Sequence, residues 1–295
     1  MTPTIVTLSS IPPRFSELGE TLESLLTQSL PVQEIRLHIP ERYRRFPDWD
    51  GTLPQVPAGV TIHRCAEDLG PATKILPAVR VLRGHEVDLL LCDDDKIYDR
   101  DWHRRFKEQA RKRPGTCIVE VGETFPDIAE THRAPDRLPR GRRLARKGIG
   151  YRLKRLLSLG WYKPHFFTQS GYVDQLSGYA GVLLRPDWFD EAVFDIPDII
   201  WTVDDPWLSG HLERRGIPIW LNAKGRFPLM RESGNRHALL DLVEQGHDRV
   251  MADLAAIDYF RQTYGIWQPG GAVEPTNPRM TTSMIELRRR ALAKG

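Results

Sequence analysis

The sequence predicts an α/β fold, a single domain with a mostly parallel central sheet and helices on both faces. Three features of the chain point there. Strand-like and helix-like segments alternate from the N-terminus onward, the order that generates parallel sheets. The run Val87-Asp-Leu-Leu-Leu-Cys92 is apolar enough for a central strand covered on both faces. With 295 residues and 40% hydrophobic content, the chain is long enough to bury one large core.

The elements follow in order. Thr4-Ile-Val-Thr-Leu8 is rich in β-branched residues and runs into the turn Ser9-Ser-Ile-Pro-Pro13, so it reads as a strand leaving the sheet. Leu18, Leu22, Leu25 and Leu26 share one helical face, and Pro31 ends that element. Ile35 to Ile39 alternates as a strand, and Val60 to Ile62 is a further short one. After the Gly70-Pro71 turn a helix is expected near 73–83, then the strand 87–92, a helix carrying Trp102 and Phe106, and a strand from Ile118 to Val121. A segment of about 130–160, broken by Pro135, Pro139, Gly141 and Gly148, interrupts the alternation and reads as an insertion. The pattern resumes with a strand at Gly181 to Leu184, a helix opened by Asp204-Asp-Pro-Trp207, a strand from Ile217 to Leu221, and a helix from Ala238 to Tyr264. The domain is expected to span 1–267, with 268–295 as a tail.

Composition excludes several classes. No run of some 18 apolar residues occurs and no basic flank precedes an apolar N-terminal core, so neither a membrane span nor a secretory signal is expected, and a cytosolic protein is. Cys65, Cys92 and Cys117 are widely spaced with no CxxC pair, which suits buried thiols in a reducing compartment.

Asp93, Asp94 and Asp95 follow the central strand, at the carboxyl end where open α/β sheets bind ligands. Like charges this close raise one another's pKa and call for a cation. Hard oxygen donors suit magnesium or manganese, held by one or two carboxylates together with substrate phosphates. Alternation along an extended segment would turn Asp93 and Asp95 to one side. A solvated acidic turn, or an N-cap before Trp102, is the structural alternative.

The strand 87–92 followed by this triplet resembles the DxD motif of GT-A glycosyltransferases, and Val6-Thr-Leu-Ser-Ser-Ile-Pro-Pro-Arg-Phe15 resembles their first strand and nucleotide loop. Together with Leu69-Gly-Pro-Ala-Thr-Lys74, Gly178-Tyr-Ala-Gly181, Asp204-Asp205 and Tyr264-Gly-Ile-Trp267, these blocks are similar to a group of bacterial enzymes close to glycosyltransferase family 2. The resemblance covers roughly residues 4–267 outside the insertion. It implies a GT-A domain that transfers a sugar from a UDP- or GDP-sugar to a glycan or lipid-linked acceptor, with inversion. By the same resemblance Asp95 is the first metal ligand, Asp93 contacts the ribose or assists the metal, and Asp94 belongs to the donor site. Thr7, Ser9 and Arg14 would meet the nucleotide, or form only a capped turn with a surface arginine. Lys74 would reach a phosphate or the triplet, or face solvent. Asp205 matches the base that takes the acceptor proton, with Asp204 orienting hydroxyls. Either acid could instead cap the helix that Pro206 begins.

Gly178 and Gly181 would let backbone approach the sugar, or form a simple turn. Trp207 reads as an apolar anchor more than a sugar platform, and His211 and His237 are candidates for a third metal ligand, with His237 fitting better.

Residues 133–155 hold ten Arg or Lys against one acid, Asp136. Ile149, Leu153, Leu156 and Leu157 repeat at helical spacing among cations, so 149–159 could form a basic amphipathic helix. Residues 133–159 would then touch an anionic polymer or the inner face of a membrane, or pack as a charged face on their own domain. No nucleic-acid motif accompanies them. A sugar nucleotidyltransferase lacks support from Ser9 to Pro13, which is not a glycine-rich phosphate loop. A non-catalytic polymer-binding protein is the remaining alternative.

Overall fold

The computed structural model describes residues 2–143, 157, 166–230 and 249–270. His237, most of the proposed helix 149–159, the segment 238–248 and the tail beyond 270 lie outside the described residues.

Eight strands form the central sheet: β1 (Thr4–Ser9), β2 (Glu34–Pro40), β3 (Val60–Cys65), β4 (Asp88–Leu91), β5 (Cys117–Val119), β6 (Gly171–Val173), β7 (Val182–Leu184) and β8 (Ile219–Leu221). Their spatial order is β6-β8-β5-β7-β4-β1-β2-β3. β1 pairs in parallel with β2 and β4, β2 with β3, and β5 with β8, whereas β7 runs antiparallel between β4 and β5, and β6 closes one edge antiparallel to β8. The α/β layout with a mostly parallel sheet is therefore the one the sequence predicts.

Among the described residues, the sheet is accompanied by the helices α1 (Gly19–Leu26), α2 (Leu76–Leu82), α3 (Trp102–Lys112), α4 (Asp205–Arg214) and α5 (Arg249–Tyr264). The two-residue period of β4 divides the core. Leu90 turns to one face with Leu18, Leu22, Leu25, Trp102 and Phe106, while Leu89 and Leu91 turn to the other with Val79, Trp207, Leu212 and Phe260. All three β4 leucines are fully buried, as a doubly covered strand requires. No helix among the described residues is long and apolar enough to cross a membrane.

Two boundaries shift. The helix expected near 73–83 divides into a 3-10 turn, Gly70–Lys74, and α2, whose first turn accommodates Pro77 where no intrahelical N–H is needed. The strand expected from Ile118 to Val121 ends at Val119, because Glu120 turns aside to accept two hydrogen bonds from Arg105, at 2.7 and 2.9 Å.

The described part of the insertion is turned inward. Arg133 and Arg140 both pair with Asp174, Arg137 reaches Asp136 at 2.7 Å and Glu213 at 3.2 Å, and Arg143 pairs with Glu123. Only Arg142, 3.2 Å from Glu130, is half exposed. For residues 133–143 the expectation of an anion-binding surface is corrected: these guanidiniums neutralise acids of their own domain.

Candidate active site

The chain runs from β1 to β2 to β3 on one side of β1 and then returns to β4 on the other, which opens a crevice beyond the carboxyl ends of β1 and β4. A cleft of about 340 Å³ occupies this position, lined among others by Ser9, Ser10, Arg14, Lys74, Asp93, Asp94, Asp95, Asp204 and Asp205. Carboxylates far apart in sequence thus share one cavity.

Pro12 and Pro13 open a 3-10 turn after β1, and this turn aims Arg14 back over the acids that follow β4. Its Nη1 donates to Asp94 Oδ1 at 2.9 Å and to Asp95 Oδ2 at 3.4 Å. Ser10 Oγ donates to the other Asp94 oxygen at 2.5 Å. Burial raises the Asp94 pKa, an effect that Arg14 and Ser10 reduce without cancelling. Asp95 Oδ1 takes Lys96 Nζ at 2.5 Å.

Lys74, the last residue of the 70–74 turn, joins the two acidic groups: its Nζ lies 2.6 Å from Asp93 Oδ1 and 3.1 Å from Asp204 Oδ2. The second contact is an ion pair without hydrogen-bond geometry. Burial alone would lower the Lys74 pKa, but Asp204, Asp93 and Asp205 outweigh it and leave the ammonium firmly charged.

Asp204 stands at the N-cap of α4 and makes no side-chain capping bond, so the capping alternative fails for it. Asp205 Oδ1 accepts the Gly178 N–H at 2.8 Å. A Cβ at Gly178 would stand 3.2 Å from that oxygen and 3.3 Å from Lys74 Nζ, so only glycine brings the loop this close without crowding.

Other expected site residues are placed elsewhere. Thr7 is fully buried and its hydroxyl donates to the Lys74 carbonyl at 2.5 Å, fixing the turn rather than meeting a nucleotide. Gly181 has φ +104° and packs against Trp102, whose ring an added Cβ would meet at 2.6 Å, so its glycine serves packing. Trp207 is a buried anchor whose Nε1 donates to the Val193 carbonyl at 2.8 Å. His211 is corrected as a ligand candidate: it is fully buried against Trp207 and Phe260, accepts from Arg214 at 3.0 Å, and burial, with Arg214 nearby, takes its pKa down to about 3.

Sequence reasoning assigned no role to Ser10 or Lys96, nor to Pro40, Tyr43, Arg45, Phe46, Asp68 and Trp201, which also line the cleft. Tyr43 donates to the Ser10 carbonyl at 2.6 Å, and Trp201 donates to the Asp68 carbonyl at 3.0 Å. The aromatic residues clustered at 43–49 were the available signal.

The expected manganese or magnesium meets an unfavourable donor set. Both Asp95 oxygens face cations, Asp94 is shared between Arg14 and Ser10, and Asp93 is held by Lys74. As arranged, these carboxylates do not fit a divalent ion.

Fold and cleft together define an α/β protein with a charged crevice at the switch point of a mostly parallel sheet. No protein-family model matches the chain, and no curated protein matches it. Among solved structures it is similar to residues 1–349 of S. aureus TarS, at 9% identity over 90% of this chain and 72% of that one, with a TM-score of 0.41.

Proposed function

We propose that the chain is a glycosyltransferase that moves a sugar from a nucleoside diphosphate donor, with uridine or guanosine as base, to a hydroxyl of a glycan or lipid-linked acceptor. The observation that carries this reading is the Lys74 bridge, which brings the acids after β4 and the acids opening α4 into one crevice. Such a crevice suits a substrate with a charged and a reacting end.

In this reading the apolar wall of Ile11, Pro40, Tyr43 and Phe46 receives the base. Arg14 and Lys74 face the diphosphate, and Asp205 is the general base. The acceptor hydroxyl gives its proton to the Asp205 carboxylate as its oxygen bonds to the anomeric carbon. The bond from that carbon to the donor phosphate breaks, and the nucleoside diphosphate leaves with the electron pair. The N–H of Gly178 orients the Asp205 carboxylate toward its task. Attack opposite the leaving group inverts the anomeric centre.

A positioned base contributes about 10²–10⁴-fold, so Asp205→Asn should lower nucleoside diphosphate release from the donor by that factor while donor binding persists. Release is measured on a panel of UDP- and GDP-hexoses, alone and with oligosaccharide acceptors. Full activity of Asp205→Asn removes the base assignment. No release from any donor defeats the proposal, and pyrophosphate formed from a nucleoside triphosphate and a sugar phosphate would replace it with a nucleotidyltransferase.

A further inference from the structure

We infer that the diphosphate end of this cleft is held by the chain's own cations, Arg14, Lys74 and Lys96, and that the aspartate triplet is their anionic scaffold rather than a metal-ligand set. The inference rests on the donor-site reading above and goes beyond it in naming what replaces the ion.

Each aspartate of the triplet has a cationic partner from the chain. Asp93 meets Lys74 at 2.6 Å, Asp94 meets Arg14 at 2.9 Å, and Asp95 meets Lys96 at 2.5 Å and Arg14 at 3.4 Å. Magnesium requires oxygens at about 2.0–2.1 Å, so an ion on Asp95 Oδ1 would stand at most about 4.6 Å from the Lys96 ammonium, and one on Oδ2 at most about 5.5 Å from the Arg14 guanidinium. Like charges at that range repel strongly where little water screens them.

The three cations are only 14, 10 and 7% exposed for Arg14, Lys74 and Lys96, so their side chains are already ordered and lose little freedom when a ligand arrives. All three nevertheless line the cleft. Lys96 is fixed further by a two-residue ribbon that pairs it with Met230.

Six aspartates line the cavity against four cations, the fourth being Arg45. Two of the six are held by backbone: Asp68 accepts the Arg44 and Gly70 N–H groups at 2.8 and 2.9 Å, and Asp205 accepts that of Gly178 at 2.8 Å. Of the other four, Asp93 and Asp204 share Lys74, Asp94 has Arg14, and Asp95 has Lys96 and Arg14, so every acid of the triplet already faces a cation of the chain. Ammonium and guanidinium groups so placed are suited to phosphate oxygens.

The two accounts give Asp95→Asn opposite signs. As a metal ligand, Asp95 is needed for nucleotide binding. As a counter-ion, it competes with the phosphates for Lys96 and Arg14, so its neutralisation preserves or tightens binding.

UDP and GDP are titrated calorimetrically into the full-length protein, in EDTA and then in manganese. The expected result is a Kd in EDTA within about threefold of that in manganese, retained or tightened in Asp95→Asn and weakened about tenfold or more in Lys96→Met and Arg14→Gln. Melting curves check that the variants fold. Manganese titrated into the wild-type protein without nucleotide, followed by electron paramagnetic resonance, needs no variant and should show no saturable site below millimolar. A saturable manganese site, or nucleotide binding that needs manganese and vanishes in Asp95→Asn, overturns the inference while leaving the donor site standing. Failure of both nucleotides to bind in either condition overturns the donor-site reading and this inference with it.

Discussion

His38 lies in β2 at 2% exposure, and neither of its ring nitrogens has a hydrogen-bond partner. Burial, reinforced by His63 at 5.6 Å between ring centroids and by Arg36, takes its pKa down to about 3. The unfolded chain, with a histidine pKa of about 6.5, therefore binds a proton before the folded one does. Stability is unaffected by this residue above about pH 6.5 and falls progressively as the pH drops toward about 3, by about 1.4 kcal/mol per pH unit where the unfolded residue is fully protonated. His211 behaves alike, since burial takes it also to about 3. We predict that His38→Leu flattens the dependence of unfolding free energy on pH, measured by urea denaturation between pH 5 and 6, by about one proton's worth, or 1.4 kcal/mol per unit. An unchanged slope would show that the folded protein can admit a charge on this ring.

At the level of elements, α4 illustrates a limit of reading periodicity alone. Its start was legible, because Asp204-Asp-Pro-Trp207 supplies acids and a proline where helices begin. Its packing was not, because Gly210 carries no periodic signal yet is the point at which α5 crosses. A Cβ there would lie 2.3 Å from the Phe260 ring. Trp207, His211, Tyr264 and Trp267 surround that ring at centroid distances of 5.2–5.6 Å, so it has no room to turn away. Helix propensity favours alanine over glycine by about 1 kcal/mol, whereas overpacking a closed core costs about 1–3 kcal/mol. The clash should win. Gly210→Ala is expected to lower stability in urea melts by up to about 2 kcal/mol, and a stabilised variant would mean that α4 and α5 separate easily.

Across the whole molecule, local patterns made most strands and helices readable, but not the insertion of β7 between β4 and β5, since pairing between distant segments leaves no local trace. The site divides in the same way. Asp93 to Asp95, Lys74 and Asp204 with Asp205 were legible as charges at the ends of elements, yet the sequence says which charges exist and not which ones meet. Thr7 was misassigned although alternation along β1 holds the correction: Val6 and Leu8 pack on the α1 and α3 side, so Thr7 must face the other layer, beneath the Lys74 turn. The basic segment is the largest case, and it yields a prediction about how the sheet edge is held. Asp174, directly after β6, pairs with both Arg133 and Arg140 and accepts the Phe125 N–H at 2.7 Å, and the side chains of all three charged residues are at most 6% exposed. Asp174→Asn would leave two buried guanidiniums facing one neutral amide, a loss of about 3–5 kcal/mol. Asp136→Asn removes a carboxylate that is 69% exposed from Arg137 and should cost well under about 1 kcal/mol. Paired urea denaturations compare the two. Similar small losses would mean that water reaches Arg133 and Arg140, and that residues 133–143 lie on the sheet edge without being fastened to it.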